Sequence, residues 1–263
     1  MTRTQSLGIG LDVGSTTTKS VLVDAKGAVL ASDLLSTGAA AQKAAQRCLD
    51  EVAAQSGRAL RGVRTVSTGY GRKQVNFAQE SVTEITCHGV GIHALNPAIR
   101  TVIDVGGQDS KVIRLGANGR PTDFELNDKC SAGTGRFLEV MARVLEVPIG
   151  ELGALALTAK SPCPISSTCT VFAESEVVGR IGAGDAPADI AAGIHKAMAA
   201  KIATLCHRVG VAPPVAVTGG VALNPAFRHY LSLQLATNLW LPDQPQLTGA
   251  LGAALLATKE SKS

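Results

Sequence analysis

The sequence predicts an α/β protein built from two duplicated lobes. The first observation is a short apolar strand that ends at Asp12, with a glycine, Gly14, two positions later. The second is the return of this pattern at Asp104 and Gly106, where another apolar strand ends. The third is the alternation of short apolar strands with longer amphipathic segments along the chain, which is typical of α/β folds. Two copies of one strand–turn–strand unit favour duplication.

Apolar periodicity assigns the elements of each lobe in chain order. In the first lobe, residues 1–96, it predicts strands near 6–13, 18–24, 28–34 and 62–68 and helices near 39–55 and 83–95. In the second lobe, residues 97–263, it predicts strands near 100–104, 110–115, 122–127 and 214–218. The predicted helices of that lobe lie near 132–146, from about 169, near 187–209 and near 247–258. The last helix is rich in small residues, which suit close packing, and it is a candidate to return to the first lobe.

The composition argues against several functional classes. Hydrophobic residues make up 45% and aromatic residues only 3% of the 263 residues, which predicts an aliphatic core. Lys and Arg (25) barely exceed Asp and Glu (21), and no basic run alternates with aromatics, so no nucleic-acid surface is expected. No apolar stretch reaches membrane-spanning length, so no membrane association is expected. Six cysteines without paired spacing and no recognisable signal peptide predict a reducing, cytoplasmic location.

The first glycine turn is a predicted phosphate site. Glycine lets the backbone approach a phosphate closely, and N–H and hydroxyl groups then surround it. We expect Gly14, Ser15 and Thr16 to make these contacts, with Lys19 as a further nucleotide contact. The carboxylate of Asp12 is expected to hold hydrated magnesium.

The second turn repeats this chemistry. Gly106 and Gly107 are expected to contact phosphates, Asp104 to serve the hydrated metal, and Gln108 to position an attacking water. Neither turn has the spacing of a P-loop or of a Rossmann fingerprint. One such turn would be weak evidence, but two copies favour a pair of lobes that face one nucleotide.

A third glycine pair, Gly219 and Gly220, follows a buried strand and precedes the start of a helix. We assign it to the border of an adenosine site. The order of the three elements resembles the actin-like ATPase superfamily of sugar kinases, acetate kinases and heat-shock chaperones. This resemblance implies two ribonuclease H-like lobes with a cleft between them that binds ATP and Mg²⁺.

Cys130 and Cys169 each stand at the predicted mouth of a helix. Helix N-termini offer unpaired N–H groups and a positive dipole end, which favour a thiolate. Two thiolates from one chain do not fill the four cysteine positions of an iron–sulfur cluster, whereas two chains related by a twofold axis do. The count therefore suggests a cluster shared across a homodimer.

Together, the turns and the two cysteine segments resemble the activators of 2-hydroxyacyl-CoA dehydratases and the related ATPase subunits of benzoyl-CoA reductases. The matching segments run nearly end to end: 11–15, 68–72, 84–88, 104–109, 127–137, 166–176, 192–195, 218–222 and 249–254. The cysteine segments are the specific part, because the glycine turns would fit many kinases.

This resemblance implies a homodimer that holds one [4Fe–4S] cluster, with Cys130 and Cys169 of each subunit as ligands. It also implies that ATP drives the transfer of one low-potential electron to a partner iron–sulfur dehydratase. Ferredoxin or flavodoxin is the implied electron source.

Three other functions share parts of the pattern. The nearest is the ATPase subunit of a benzoyl-CoA reductase-type complex, or a reductase of a double-cubane iron–sulfur protein; the short single-module chain favours the activator. A small-molecule kinase would share the ATP turns but needs a base near the γ-phosphate and has no use for the two cysteines. A filament-forming actin relative also leaves those cysteines unexplained. The acyl-CoA substrate of the partner is not predicted.

Three of the remaining cysteines are not expected to have the role of Cys130 and Cys169 on the evidence of spacing alone. Cys48 and Cys206 fall on apolar helix faces and are predicted to be packing residues. Cys163 lies between two prolines, where a structural role, redox sensitivity and an alternative ligand role all stay open.

Cys87 and His88 suggest metal or acid–base chemistry, but adjacent residues on a helix face different directions. We therefore favour a packing or hinge role for this pair. Glu174 and Glu176 are expected to do no more than favour the early turns of their helix. The remaining histidines are expected on solvated or partly buried helix faces: His93, His195, His207 and His229.

Overall fold

The structure is a computed structural model that describes residues 7–166 and 169–259. It contains two compact units. The first comprises residues 7–99, 115–121 and 246–259, and the second comprises 100–114 and the described part of 122–245. The chain thus passes between the units several times, whereas the sequence analysis places one boundary near 96–97.

The described residues form ten strands and eight α-helices. The strands are β1 Gly8–Val13, β2 Thr17–Val23, β3 Val29–Ser36, β4 Arg64–Thr68, β5 Glu80–Ser81, β6 Thr101–Val105, β7 Ser110–Leu115, β8 Pro121–Asn127, β9 Val215–Thr218 and β10 Leu239–Trp240. The helices are α1 Ala41–Ser56, α2 Glu84–Leu95, α3 Gly135–Val144, α4 Ile149–Ala156, α5 Thr170–Gly182, α6 Pro187–Val209, α7 Pro225–Leu235 and α8 Thr248–Ala257.

Each unit contains its own five-stranded sheet, and the two sheets have the same topology. In the first unit the strand order is β3-β2-β1-β4-β5, and in the second it is β8-β7-β6-β9-β10. Each central strand, β1 or β6, pairs antiparallel with the strand that follows it and parallel with a later one, β4 or β9. The predicted α/β class with two duplicated lobes is confirmed.

The two faces of β1 have different neighbours because side chains alternate along a strand. Ile9, Leu11 and Val13 belong to an apolar cluster that includes residues of α1. Gly8 and Gly10 lie on the other face, against the backbone of α8. Asp12 continues this second face, so its carboxylate lies on the side of the sheet that α8 covers.

Helix α8 belongs to the first unit and packs against β1, β2, β4 and α2. Backbone touches backbone at these contacts. A Cβ atom added to Gly252 of α8 would overlap the carbonyl oxygen of Cys87 on α2, and one added to Gly10 would overlap that of Ala250. The absence of side chains at these positions therefore sets how closely α8 approaches α2 and β1.

Helix α6 is the long helix of the second unit and packs against α4, α5 and α7. Its predicted apolar stripe is buried: Ile190, Ile194, Met198, Ile202, Leu205 and Val209. These side chains form one cluster with residues of β6 and β9, which gives the second unit its core. None of the helices in the described ranges has the length and hydropathy of a membrane span.

The structure differs from the sequence prediction at two helices. Helix α3 begins at Gly135 rather than near 132, because Gly133 has a φ of +91° and Thr134 is extended with a φ of −129°. These angles are incompatible with a helix. Helix α4 was not predicted, because the two glycines among its eight residues weaken the helical signal.

Replacing Gly252 with alanine tests the contact between α8 and α2. We expect Gly252→Ala to lower the free energy of unfolding by about 1–3 kcal/mol, because the new methyl group forces the helices apart. Urea unfolding followed by circular dichroism measures this change.

Gly179 in the middle of α5 is the matched control, since a Cβ there meets nothing within 4 Å. Gly179→Ala should raise the free energy of unfolding by about 0.5–1 kcal/mol, because alanine favours helix. Equal stability of Gly252→Ala and the wild-type protein would contradict the packing described here.

Candidate functional site

The ends of β1 and β6 carry the same charged pair. Asp12 lies opposite Lys19 across the hairpin, and Nζ of Lys19 is 3.2 Å from Oδ2 of Asp12. Asp104 lies opposite Lys111 in the same way, at 3.3 Å. Both carboxylates are buried. A buried carboxylate depends on an oppositely charged partner for its stability. Each unit has such an Asp–Lys pair, so the duplication includes this ion pair as well as the backbone.

The first glycine turn combines an exposed backbone with a nearby cation. The amide of Gly14 donates to the carbonyl of Thr17 at 3.0 Å, which closes the turn, and Ser15 and Thr16 at its tip are exposed. Nζ of Lys19 lies 3.5 Å from the point where a Cβ on Gly14 would be. N–H groups, hydroxyls and an ammonium group at one turn suit an anion.

The second turn is closed in the same way but carries one more carboxylate. The amide of Gly106 donates to the carbonyl of Asp109 at 2.9 Å, and Gln108 is exposed at the tip. Oδ2 of Asp109 lies 2.7 Å from Nζ of the buried Lys111. Two carboxylates therefore share one ammonium group. Sequence reasoning gave Asp109 no role, although its position two residues before the lysine was a usable signal.

The strands beside the two aspartates also differ. Thr218 of β9 lies next to Asp104, and its hydroxyl donates to Oδ1 of that carboxylate at 2.8 Å. Thr68 of β4 occupies the matching position beside Asp12, but within the described residues its buried hydroxyl is not bonded to that carboxylate. Oδ1 of Asp12 instead faces Gly69, where it lies 2.6 Å from the point a Cβ would occupy.

The third glycine pair lies between β9 and α7. The amide of Gly219 donates to the carbonyl of Pro245 at 2.9 Å, and Gly220 is exposed at the start of a short 3₁₀ helix, Gly220–Leu223. Asn224 then caps α7, since its Oδ1 accepts from the amide of Phe227 at 3.0 Å. The predicted strand, turn and helix start are all present.

His195 is fully buried, so its predicted place on a solvated or partly buried helix face is wrong. Its Nδ1 lies 2.7 Å from the carbonyl of Ala191, and its Nε2 lies 2.9 Å from Nδ2 of Asn224. A carbonyl only accepts, so Nδ1 donates to it and Nε2 accepts from the asparagine amide. Burial lowers the pKa of His195, and the ring is neutral. The cap of α7, distant in sequence, covers this ring.

The structure brings the two cysteine segments together within the second unit. Cys169 is exposed at the N-cap of α5, whereas Cys130 is half-buried in the loop before α3 and not at the helix start. The residue after each cysteine joins the segments, because the hydroxyls of Ser131 and Thr170 lie 2.7 Å apart. Asn127 closes the first loop by donating from Nδ2 to the carbonyl of Cys130 at 2.8 Å.

The loop before Cys169 is bound to α5. The amide of Ser166 donates to the carboxylate of Glu176 at 3.0 Å, and Nη2 of Arg180 donates to the carbonyl of Pro164 at 3.1 Å. Glu176 therefore fixes the loop at Ser166 in addition to favouring an early turn of its helix. Sequence reasoning missed this contact. Cys163 in this loop is buried in the core cluster of the second unit, and burial raises its pKa. Its place in this cluster favours the structural role among the three alternatives for Cys163.

The other cysteines are buried. Burial raises the pKa values of Cys87 and Cys206 to about 12, and it raises that of Cys48 as well. Thiols of this kind stay protonated and pack as small apolar groups. The packing role predicted for Cys48 and Cys206 is confirmed.

Two sheets of one topology, each with a buried aspartate that pairs with a lysine before a glycine turn, define a protein of the actin-like ATPase class. The chain belongs to the BadF/BadG/BcrA/BcrD ATPase family, whose sequence profile matches residues 9–257. The family predicted from the sequence is confirmed.

Two related proteins and one solved structure show what the chain is similar to. It is 43% identical to the 2-hydroxyisocaproyl-CoA dehydratase activator of Clostridioides difficile, over 97% of this chain and 96% of that protein. It is 41% identical to the (R)-2-hydroxyglutaryl-CoA dehydratase activating ATPase of Acidaminococcus fermentans, over 96% and 97%. The structure of an activator of 2-hydroxyisocaproyl-CoA dehydratase from Clostridium difficile with bound ADPNP matches with a TM-score of 0.91 and 42% identity, over 96% of this chain and 94% of that one.

The buried, neutral His195 predicts a pH dependence of stability. Its pKa in the folded protein lies below the ordinary value of 6.5, so the unfolded chain takes up the proton first as the pH falls. Stability is therefore lost from about pH 6.5 downward, by at most about 1.4 kcal/mol per pH unit. Urea unfolding at about pH 7.5 and about pH 5.5 measures the loss.

His195→Gln should lose less stability over this range than the wild-type protein, while His207→Gln, a change at an exposed histidine of the same helix, should behave like the wild type. Identical pH dependence in the wild-type protein and His195→Gln would rule out this role for the buried ring.

Proposed function

We propose that this protein is an ATP-dependent activator that donates a low-potential electron from a dimer-bridging [4Fe–4S] cluster to a 2-hydroxyacyl-CoA dehydratase. The observation that carries the proposal is the hydrogen bond between Ser131 and Thr170, which holds the segments of Cys130 and Cys169 together. A small-molecule kinase gives no reason for this pairing. The names of the relatives, which are dehydratase activators, support the same function.

In the first unit, the phosphates of ATP would contact Gly14, Ser15 and Thr16, with Lys19 as the nearby cation. This assignment is supported by the exposed tip of the turn and by the position of the lysine beside Gly14. Asp12 would hold the hydrated Mg²⁺, because a carboxylate is a preferred ligand or outer-sphere partner of this ion.

In the second unit, Gly106 and Gly107 would contact phosphates, Asp104 would serve the hydrated Mg²⁺, and Gln108 would position the attacking water. The additional carboxylate of Asp109 makes this turn less suited to a bare anion than the first turn. It favours phosphates that carry the metal ion.

The third glycine pair completes the nucleotide assignment. Gly219 and Gly220 would border the adenosine. Support comes from the hydrogen bond that fixes Gly219 to Pro245 and from the exposure of Gly220.

Cys130 and Cys169 of each of two subunits would hold the cluster, which supplies one-electron transfer when it is bound. The donor set fits, because cysteine thiolates are the usual ligands of [4Fe–4S] clusters and Cys169 lies at a helix N-terminus. Val171 and Phe172 on the first turn of α5 are apolar and 67% and 68% exposed. A second copy of the chain would cover this apolar surface and complete the four ligands, and ferredoxin or flavodoxin would supply the electrons.

The assignment of Asp12 predicts a loss of ATP hydrolysis on substitution. Asp12→Asn should lower the steady-state rate of Mg-ATP hydrolysis by at least about tenfold, because an amide does not supply the negative charge that the hydrated metal needs. Release of phosphate measures the rate. Asp50→Asn, which alters an aspartate on the exposed side of α1, is the control and should hydrolyse ATP at the wild-type rate. An unchanged rate in Asp12→Asn would remove this assignment.

The cluster assignment predicts the iron content. Protein purified without oxygen should contain about four irons per dimer, and Cys130→Ala or Cys169→Ala should abolish iron binding. Cys48→Ala and Cys206→Ala alter buried thiols and should retain the iron. Iron analysis with size-exclusion chromatography measures both quantities. Four irons per chain, or full iron in Cys169→Ala, would defeat the shared cluster.

A further inference from the structure

The second glycine turn is bound to the start of helix α3. The amide of Gly135 donates to the carbonyl oxygen of Gly106 at 2.8 Å, and the amide of Arg136 donates to that of Gly107 at 2.8 Å. Gly135 and Arg136 are the first two residues of the helix, where backbone amides have no acceptor within the helix itself. The carbonyl oxygens of the turn therefore supply the acceptors that the helix lacks.

The remaining amides at the start of α3 also have acceptors. The amide of Thr134 donates to the carbonyl of Ser131 at 3.0 Å, and that of Phe137 donates to the carbonyl of Thr134 at 3.2 Å. The start of a helix binds a phosphate directly only where such amides are available. Here they are used within the protein, so the start of α3 affects a phosphate only through the turn.

The bonds to α3 set the direction of two other amides. A peptide group is planar and trans, so its C=O and N–H groups point in opposite directions. The carbonyl of Gly106 shares a peptide group with the amide of Gly107, and the carbonyl of Gly107 shares one with the amide of Gln108. Because both carbonyls face α3, both amides point away from it. Within the described residues neither amide donates to a protein acceptor, so two adjacent donors are left for an anion.

Helix α3 approaches the turn closely because its first residue is a glycine. A Cβ atom added to Gly135 would lie 3.3 Å from the carbonyl oxygen of Gly106, 3.3 Å from Cα of Gly107 and 3.4 Å from Cγ2 of Val221. Val221 directly follows the third glycine pair. The start of α3 thus packs against two of the segments that are assigned to the nucleotide.

The first unit supports its turn in a different way. There the hydroxyl of Thr37, which follows β3, donates to the carbonyl of Gly14 at 2.8 Å, and its amide donates to that of Thr16 at 3.0 Å. Asn127 ends β8, the corresponding edge strand of the second sheet, but it donates to the carbonyl of Cys130 instead. The second turn therefore receives from α3 the support that the first turn receives from the end of its own sheet.

We propose that Gly135 is a positioning residue for the phosphates of the bound nucleotide. Its amide holds the carbonyl of Gly106 and, together with that of Arg136, presents the amides of Gly107 and Gln108 to a phosphate. The inference rests on the proposed function, in which this turn contacts the phosphates of ATP. It adds the backbone amide of Gln108 to those contacts. Donors whose direction is fixed in advance bind an anion without reorganisation of the turn.

Hydrogen exchange read by mass spectrometry at single-residue resolution tests the direction of these amides in the full-length protein. Without nucleotide, we expect the amides of Gly135 and Arg136 to exchange slowly and those of Gly107 and Gln108 to exchange fast. Mg-ADPNP, a non-hydrolysable analogue of Mg-ATP, should slow the exchange of Gly107 and Gln108 by at least about tenfold. Fast exchange of Gly135, or no slowing at Gly107 and Gln108, would overturn the proposal.

The first turn separates failure of the inference from failure of the proposed function. If Mg-ADPNP slows exchange at Ser15 and Thr16 but not at Gly107 and Gln108, the inference fails, while the nucleotide assignment of the first unit stands. If it slows exchange at neither turn, the proposed function fails as well. If it slows exchange at both turns but the protein delivers no electron, the proposed function fails and the inference stands.

Proline at position 135 removes the donor at a place where a helix accepts proline. Proline is favoured at the first helical position and requires an extended residue before it, and Thr134 is extended with φ −129° and ψ 169°. Gly135→Ala adds a Cβ atom as well but keeps the amide, so it is the matched control. We expect Gly135→Pro to raise the Kd of Mg-ADPNP by about tenfold relative to Gly135→Ala, as measured by isothermal titration calorimetry.

The exchange pattern of the proline variant separates positioning from a general loss of stability. In folded Gly135→Pro, saturating Mg-ADPNP should still slow exchange at Ser15 and Thr16 but no longer at Gly107 and Gln108. Equal slowing at the second turn in Gly135→Pro and Gly135→Ala, or an equal Kd, would overturn the proposal. Thermal unfolding shows whether each variant is folded. If the proline variant is not, the exchange pattern of the wild-type protein decides the inference.

Discussion

The structure depends on a buried aspartate that is paired with a lysine at the end of the central strand of each sheet. A carboxylate with little exposure is stable only beside a partner, and both sheets supply it through the antiparallel hairpin that places Lys19 opposite Asp12 and Lys111 opposite Asp104. The register of each hairpin is therefore tied to its charges. The turn that follows must close within four residues, and a glycine begins it in each unit. The Asp–Lys pair thus favours one register of the hairpin and one position of the carboxylate.

Duplication set the backbone of the two units, but their polar surroundings have diverged. In the second unit, Thr218 on the neighbouring strand donates to Asp104, and the carboxylate of Asp109 forms a second ion pair with Lys111. In the first unit helix α8 approaches instead and brings the backbone of Gly249 close to the carboxylate of Asp12. The two turns therefore share one backbone geometry but differ in charge, because one carboxylate lies beside Lys19 and two lie beside Lys111.

The sequence was sufficient where the signal is local. A strand that ends in an aspartate and a glycine turn contains its own geometry, so both hairpins could be predicted, as could the helix that begins after Cys169. The start of α3 was missed because the conformation of Gly133 is set by its surroundings. His195 and Glu176 were misjudged because their partners come from other segments, and no periodicity reveals which carbonyl or amide a side chain will meet. Long-range polar partners are what this sequence, taken alone, does not specify.

We infer that one chain couples ATP hydrolysis to the delivery of an electron. The most direct measurement mixes the reduced protein with a 2-hydroxyacyl-CoA dehydratase without oxygen and follows the activation of the dehydratase. We expect activation with Mg-ATP and none with ADP or a non-hydrolysable analogue. Activation without nucleotide, or hydrolysis of ATP with no electron delivered to the dehydratase, would contradict it.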